Sequence, residues 1–304
     1  MQPKTLITGG SGLLALNWAC ALRDRQQIIL GLHHRQVSLD GALAVQINLD
    51  SLDDLMQQME IIQPQYVVHT AGLTSVENCE FNPILARKLN VNLAINIAKV
   101  CAILKIPLVH ISTDHLFSGT EAFAVEYFPV SPINTYGSTK AEAELRVLEE
   151  NPEALIIRTN FFGWGTHYRQ SFSDFIIRAL RAKKKLELFD DVFYSPILVE
   201  ALALATHDLM TLNAKGVFNV VGDQRLSKYG FGLQLAKEFG LDGGLIQASQ
   251  ITRQSSLVKR PLDMSLSNKK AVGLLGRDFG TISDYLSRLH QQEKNGLAME
   301  LEKL

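Results

Sequence analysis

Five short apolar runs recur along the first half of the chain, and most are followed by a longer stretch with helical spacing. This alternation restricts the fold more than any other feature. The runs are Thr5-Leu6-Ile7, Ile28-Ile29-Leu30, Tyr66-Val67-Val68, Leu108-Val109-His110-Ile111 and Leu155-Ile156-Ile157. They are nearly continuous rather than alternating, as strands covered by helices on both faces are. Helices are predicted over 12–25, 52–59, 83–104 and 136–150. Pro83 suits the first turn of its helix, with Asn82 as the cap. Strand, helix, strand, helix predicts an α/β chain with a doubly wound parallel sheet, whose ligands collect at the C-terminal ends of the strands.

The first strand runs directly into Thr8-Gly9-Gly10-Ser11-Gly12-Leu13-Leu14-Ala15. Glycines after a strand and before a helix allow a tight turn and close backbone approach to a pyrophosphate, while the helix N-terminus offers free N–H groups and a partial positive charge. Gly9, Ser11, Gly12, Leu13 and Leu14 are therefore expected to contact a dinucleotide, and the sheet is expected to be Rossmann-type. The second strand ends at His33-His34-Arg35. An acidic residue at this place would bind the ribose 2′-hydroxyl of NAD. Here a guanidinium is available for a 2′-phosphate instead, so NADP is preferred over NAD, with His34 and Arg35 as its readers. Asn48 and Leu49 are expected beside the adenine.

Beyond about Asn160 the rhythm loosens. Helices are predicted over 172–182 and 199–212, a strand over 217–221, a helix capped near Ser227, an irregular stretch over 241–280 and helix over 282–304. Residues 1–159 are read as a dinucleotide-binding domain to which 190–220 returns. Residues 160–189 and 221–304 are read as a smaller C-terminal substrate-binding lobe.

Two further clusters carry chemistry. In Tyr136-Gly137-Ser138-Thr139-Lys140, tyrosine and lysine at i and i+4 share a face if the helix includes both. A phenol has a pKa of about 10, and a nearby ammonium lowers it. Thr139 and Glu142 also fit a capping box, and a helix starting there would leave Tyr136 outside. The other cluster, Ile111 to Gly119, places Ser112, Thr113, Asp114 and His115 at a strand end. A hydroxyl there can bind a substrate carbonyl or simply tie up local backbone.

Together these segments resemble the extended short-chain dehydrogenase/reductases, and within them the dTDP-4-dehydrorhamnose reductases and their relatives. The resemblance runs from Lys4 to about Lys269. TGGSGLLA at 8–15 is similar to the family's TGxxGxxG, with Ala15 at the third glycine. His69-Thr70-Ala71-Gly72 resembles its cofactor-contacting turn. Thr74-Ser75-Val76-Glu77-Asn78-Cys79-Glu80, Asn82-Pro83 and Asn90-Val91-Asn92 follow its T-x-V-D-x-C-E … P … V-N pattern. Residues 112–119 resemble STDYVFDG, and 132–140 match P-x-N-x-Y-G-x-x-K. Arg158-Thr159-Asn160, Ser195-Pro196 and Arg260-Pro261-Leu262-Asp263 match further landmarks.

The resemblance implies that Tyr136 is the general acid, Lys140 its tuner and ribose ligand, and Thr113 the carbonyl-orienting hydroxyl. It implies cofactor contacts from His69, Thr70, Ala71, Gly72 and Asn92, and substrate contacts from Thr74, Val76, Thr113, Asp114, His115 and Asn160. The substrate it implies is a 4-keto sugar nucleotide, reduced by NAD(P)H. His115 and Ser118 depart from the family's tyrosine and aspartate, and Ser171 to Phe175 from its Asn-Phe pair. These departures leave two alternatives: a catalytically silent NADP-binding regulatory subunit, or a sugar-nucleotide epimerase. A 4,6-dehydratase ranks lower, because His115 follows Asp114 where glutamate is usual.

Charge and composition exclude other classes. A net charge of −1 gives no reason to expect nucleic acid or a membrane surface as partner. Lys183-Lys184-Lys185 reads as a solvated helix end. No apolar run reaches the roughly 18 residues of a membrane span, and the glycines at 9, 10 and 12 interrupt the apolar N-terminus where a signal peptide would need continuity. Cys20, Cys79 and Cys101 are scattered, and His33-His34 lacks a third ligand, so no metal site is expected. Reduced thiols suit a cytoplasmic enzyme. The sequence allows a homodimer without specifying one.

Overall fold

The computed structural model describes residues 2–254 and 256–304. Met1 and Ser255, which fall within the two units expected above, lie outside the described residues. Seven strands form the central sheet: β1 (Lys4–Thr8), β2 (Gln27–Leu32), β3 (Ala42–Gln46), β4 (Tyr66–His69), β5 (Leu108–Ile111), β6 (Leu155–Arg158) and β7 (Gly216–Asn219). Their spatial order is β7-β6-β5-β4-β1-β2-β3, and every neighbouring pair is parallel. The expected Rossmann-type sheet is therefore present. Its order reverses between β1 and β4, which opens a crevice at their C-terminal ends.

Consecutive residues of each strand point to opposite faces, and both faces are buried. Ile7, Val68, Val109 and Ile157 join one core cluster, while their neighbours Leu6, Val67, Leu108 and Ile156 join another. Helices α1 (Leu13–Leu22) and Val199–Thr211 cover the first face through Leu16, Trp18 and Leu202. Helices α2 (Leu52–Ile62), α4 (Leu93–Leu104) and α5 (Thr135–Glu150) cover the second through Leu55, Ile97 and Val147. Burial of a side chain such as Leu16 or Ile97 contributes roughly 1.5–3 kcal/mol. A short α3 (Val76–Phe81) lies between β4 and the long helical segment.

Several boundaries differ from expectation for physical reasons. The 83–104 helix is three pieces: Pro83–Arg87, a π turn at Lys88–Asn92, and α4. Asn82 caps it, accepting from the Leu85 amide. Strand β3 is not among the expected strands; it is a mostly exposed edge strand, and its run Ala42-Leu43-Ala44-Val45 is half alanine, which is depleted in strands. The strand expected at 217–221 is β7, one residue earlier at its start and two shorter at its end. The 282–304 stretch is broken into Ile282–Lys294 and Leu297–Glu302 by Gly296, whose φ is 89°. The irregular 241–280 stretch holds the strand Ile246–Ser249, paired in parallel with Leu186–Phe189, and the helix Lys269–Leu275. One apolar cluster runs from Ile7 on β1 to Leu301 near the C-terminus.

Candidate active site

The C-terminal ends of β1, β4, β5 and β6 bring the predicted motifs to one edge. After β1 the chain turns at Gly9, whose φ is 69° and where an added Cβ would lie 2.8 Å from the Ala71 Cα. Gly12 donates its amide to the Gly9 carbonyl at 2.8 Å and caps α1 without a side-chain hydrogen bond. The first-turn amides of Leu13 and Leu14 are thus left free for an anion. A turn with no room for a side chain, feeding an uncapped helix N-terminus, fits a dinucleotide pyrophosphate.

After β4, the Thr70 hydroxyl donates to the Thr8 carbonyl at 2.7 Å, which closes β4 against β1. Ala71 lies under the glycine turn, and Gly72 approaches Asn90 so closely that a Cβ would lie 2.8 Å from its Oδ1. Asn90 is buried; its Oδ1 accepts from the Leu73 amide at 2.7 Å, and its Nδ2 donates to the Leu73 carbonyl and to Thr139 Oγ1. Asn90 clamps the turn to α5. Asn92, which the resemblance put at the cofactor, is exposed and accepts from Arg87. Two positions on a helix lie on opposite sides, so with Asn90 inward Asn92 points out.

Asn134 caps α5, accepting from the Gly137 amide at 2.8 Å, so the helix includes Tyr136 and the capping-box start at Thr139 is ruled out. Thr139 instead donates to the Tyr136 carbonyl within the helix. Lys140 is buried, and its Nζ donates to the Ile111 carbonyl at 2.7 Å and lies 3.3 Å from His110 Nε2. Burial pulls its pKa down to about 8. The expected lowering of the Tyr136 pKa by this ammonium does not occur. Desolvation pushes the phenol up to about 12, with the Thr113 hydroxyl opposing. Below Lys140, His69 and His110 stack with ring centroids 5.5 Å apart, and Thr8 Oγ1 lies 2.7 Å from His69 Nδ1. Burial holds both imidazoles far below their usual range, so both are neutral.

Thr113 and Asp114 are buried at the end of β5. Asp114 accepts from Thr113 Oγ1 at 3.2 Å and from Asn160, at the end of β6. The His115 ring meets Tyr136 edge-on, with centroids 5.4 Å apart, and burial keeps it below its ordinary pKa despite Asp114 4.0 Å away. Thr113, Asp114, His115, Tyr136 and Asn160 therefore form one cluster, with Lys140 on the next turn of α5.

Other predicted residues lie nearer the periphery. Thr74 is exposed and accepts from Arg169 at 2.6 Å. Val76 is buried at the start of α3, where its side chain offers a ligand little surface. Asn48 spends its side chain on Asp54 and Asp50, and buried Leu49 presents its carbonyl to Asn96. His34 is exposed and lies tilted against the His33 ring, and exposed Arg35 lies over the Tyr168 ring.

Sequence reasoning missed Asn90 as the clamp, the loop residues Tyr168 and Arg169, and Lys228. The Lys228 ammonium lies 3.3 Å from the Tyr194 ring centroid, and burial pulls it down to about 8 against the opposing charge of Asp114. Its only sequence signal is its place directly after the capping Ser227.

The model of the RmlD substrate binding domain matches residues 3–292. The chain belongs to this family. A probable low-salt glycan biosynthesis reductase of Haloferax volcanii is 28% identical to this RmlD-family chain, over 93% of it and 96% of the relative. The methionine adenosyltransferase 2 subunit beta of Rattus norvegicus is 27% identical, over 78% of this chain and 72% of that one. Among solved structures, a hypothetical dTDP-4-dehydrorhamnose reductase from Sulfolobus tokodaii superposes with a TM-score of 0.80 at 29% identity, covering 91% of this chain and 97% of its own.

Proposed function

We propose that this RmlD-family protein is an NAD(P)H-dependent reductase of a 4-keto sugar nucleotide, similar to the dTDP-4-dehydrorhamnose reductases. The observation that carries the reading is the convergence of the glycine turn with Thr113, Tyr136 and Lys140 at one sheet edge. The Haloferax relative's name supports reduction, and the Sulfolobus structure's title supports the substrate class. The reduced nicotinamide, when bound, supplies hydride to the carbonyl carbon. The Thr113 hydroxyl orients the carbonyl oxygen, and Tyr136 delivers a proton to it as negative charge develops there. A phenol pushed up to about 12 stays protonated at neutral pH, as an acid must. Lys140, fixed against β5, holds the ribose hydroxyls and carries positive charge beside the reacting groups. Asp114, held by Asn160 and Thr113, faces the sugar together with His115.

The cofactor is NADP in preference to NAD, because the chain leaving β2 carries Arg35 and the segment His33-His34-Arg35 offers no carboxylate. Residues 1–159 with the returning 190–220 segment serve the cofactor, and 160–189 with 221–304 serve the substrate. No described helix is long and apolar enough to cross a membrane; a cytoplasmic setting rests on the scattered, unpaired cysteines. The likeness to the rat subunit favours a second reading, a regulatory partner of another enzyme. The Thr113, Tyr136 and Lys140 set argues for catalysis, since a binding module has no use for it. Oxidation of NADPH and NADH followed with dTDP-4-dehydrorhamnose and related 4-keto sugar nucleotides tests the assignment. Substrate-dependent NADPH oxidation supports the reductase; cofactor binding without any oxidation favours the regulatory reading.

A further inference from the structure

Tyr168 makes two contacts across the cofactor crevice from a loop of the second half of the chain. Its hydroxyl donates to the Ser11 carbonyl in the glycine turn at 2.8 Å, and its ring carries the Arg35 guanidinium, with Cζ 3.9 Å from the centroid. We propose that Tyr168 is a positioning residue for cofactor choice: it fixes Arg35, three residues beyond β2, so that the guanidinium reads the 2′-phosphate of NADP. The inference rests on the reading of a dinucleotide site given above.

An exposed arginine on a flexible stem gives up rotamer freedom when it binds a phosphate, which weakens the gain. Among the described residues Arg35 forms no ion pair that would hold it. The Tyr168 ring holds the guanidinium instead, with Cζ over its face. A cation–π contact uses none of the guanidinium N–H groups in a hydrogen bond, so they stay available for a bidentate bond to a phosphate.

Tyr168 is itself held firmly. Thr166 and Arg169 exchange backbone hydrogen bonds of 2.9 and 3.3 Å around it. Arg169 donates to Thr74 across the crevice, and the Gly165 amide donates to Asp174, which also closes the capping box with Ser171. The hydroxyl bond to Ser11 sets the ring against the turn that would hold the pyrophosphate. One aromatic side chain therefore ties the pyrophosphate turn to the cation at the ribose end. Arg35 lies 133 residues away in sequence (168 less 35), so the pairing exists only in the fold.

The test is direct titration of NADPH and NADH, by nucleotide fluorescence, into wild type, Tyr168→Leu, Tyr168→Phe, Arg35→Ala and the Tyr168→Leu/Arg35→Ala double variant. Tyr168→Leu should weaken NADPH roughly five- to tenfold and NADH by less than about twofold. Tyr168→Phe keeps the stack and should keep the NADPH preference. The double variant should match Arg35→Ala, because the two residues act as one unit. Equal weakening of both cofactors by Tyr168→Leu, or additive losses in the double variant, would overturn the positioning role. A wild type that binds neither cofactor would instead overturn the dinucleotide reading itself.

Discussion

Lys140 Nζ donates to the Ile111 carbonyl at 2.7 Å, so the ammonium of α5 is moored to the end of β5. Buried and only partly compensated, it is pulled down to about 8. A lysine with a lowered folded pKa binds fewer protons in the native state than in the unfolded one between about pH 8 and 10.5, so its contribution raises stability as pH rises through that window. The stability of wild type relative to Lys140→Met should therefore increase from pH 7.5 to pH 10, as read from paired denaturant melts. A constant difference across that range would show that the ammonium carries no such shift.

Gly9 has a φ of 69°, and the Ala71 backbone lies against it. Gly9→Ala should cost about 1–2 kcal/mol from backbone conformation alone, with a further cost from the contact to Ala71. It should also abolish measurable NADPH binding, because the turn must move. Denaturation and cofactor titration check both parts; unchanged NADPH affinity would mean that the turn does not hold the pyrophosphate.

Asn90 and Asn92 should separate cleanly. Asn90→Ala removes the clamp on the turn after β4 and leaves the part-buried Leu73 amide without its partner, at a cost of roughly 1–3 kcal/mol. Asn92→Ala touches an exposed side chain and should stay within about 0.5 kcal/mol of wild type. Urea midpoints of the two variants decide whether the inward asparagine has been identified correctly.

The central sheet was legible because β1, β2, β4, β5 and β6 are covered on both faces and so read as continuous apolar runs. Strand β3 was not, since its run Ala42 to Val45 is half alanine and gives little strand signal. Thr113, at the end of β5, and Tyr136 and Lys140, on α5, were legible as motifs that the fold brings to one sheet edge. The start of α5 stayed ambiguous until the Asn134 cap decided it, because Thr139 and Glu142 satisfy the same local pattern. The resemblance put Asn92 at the cofactor and assigned Asn90 no role, because spacing alone does not say which side of a helix faces in. Tyr168, Arg169 and Lys228 left no usable pattern: two sit on an irregular loop and one follows a two-residue strand, and their partners are distant in sequence.

Tyr136 stands at the centre of the proposed chemistry, and Tyr136→Phe removes only its hydroxyl. The most direct measurement compares wild type with this variant for NADPH oxidation at neutral pH with dTDP-4-dehydrorhamnose, alongside NADPH affinity. Loss of roughly 10²-fold or more in kcat, with NADPH affinity changed by less than about twofold, is the predicted result. Wild-type turnover in the variant would contradict Tyr136 as the proton donor.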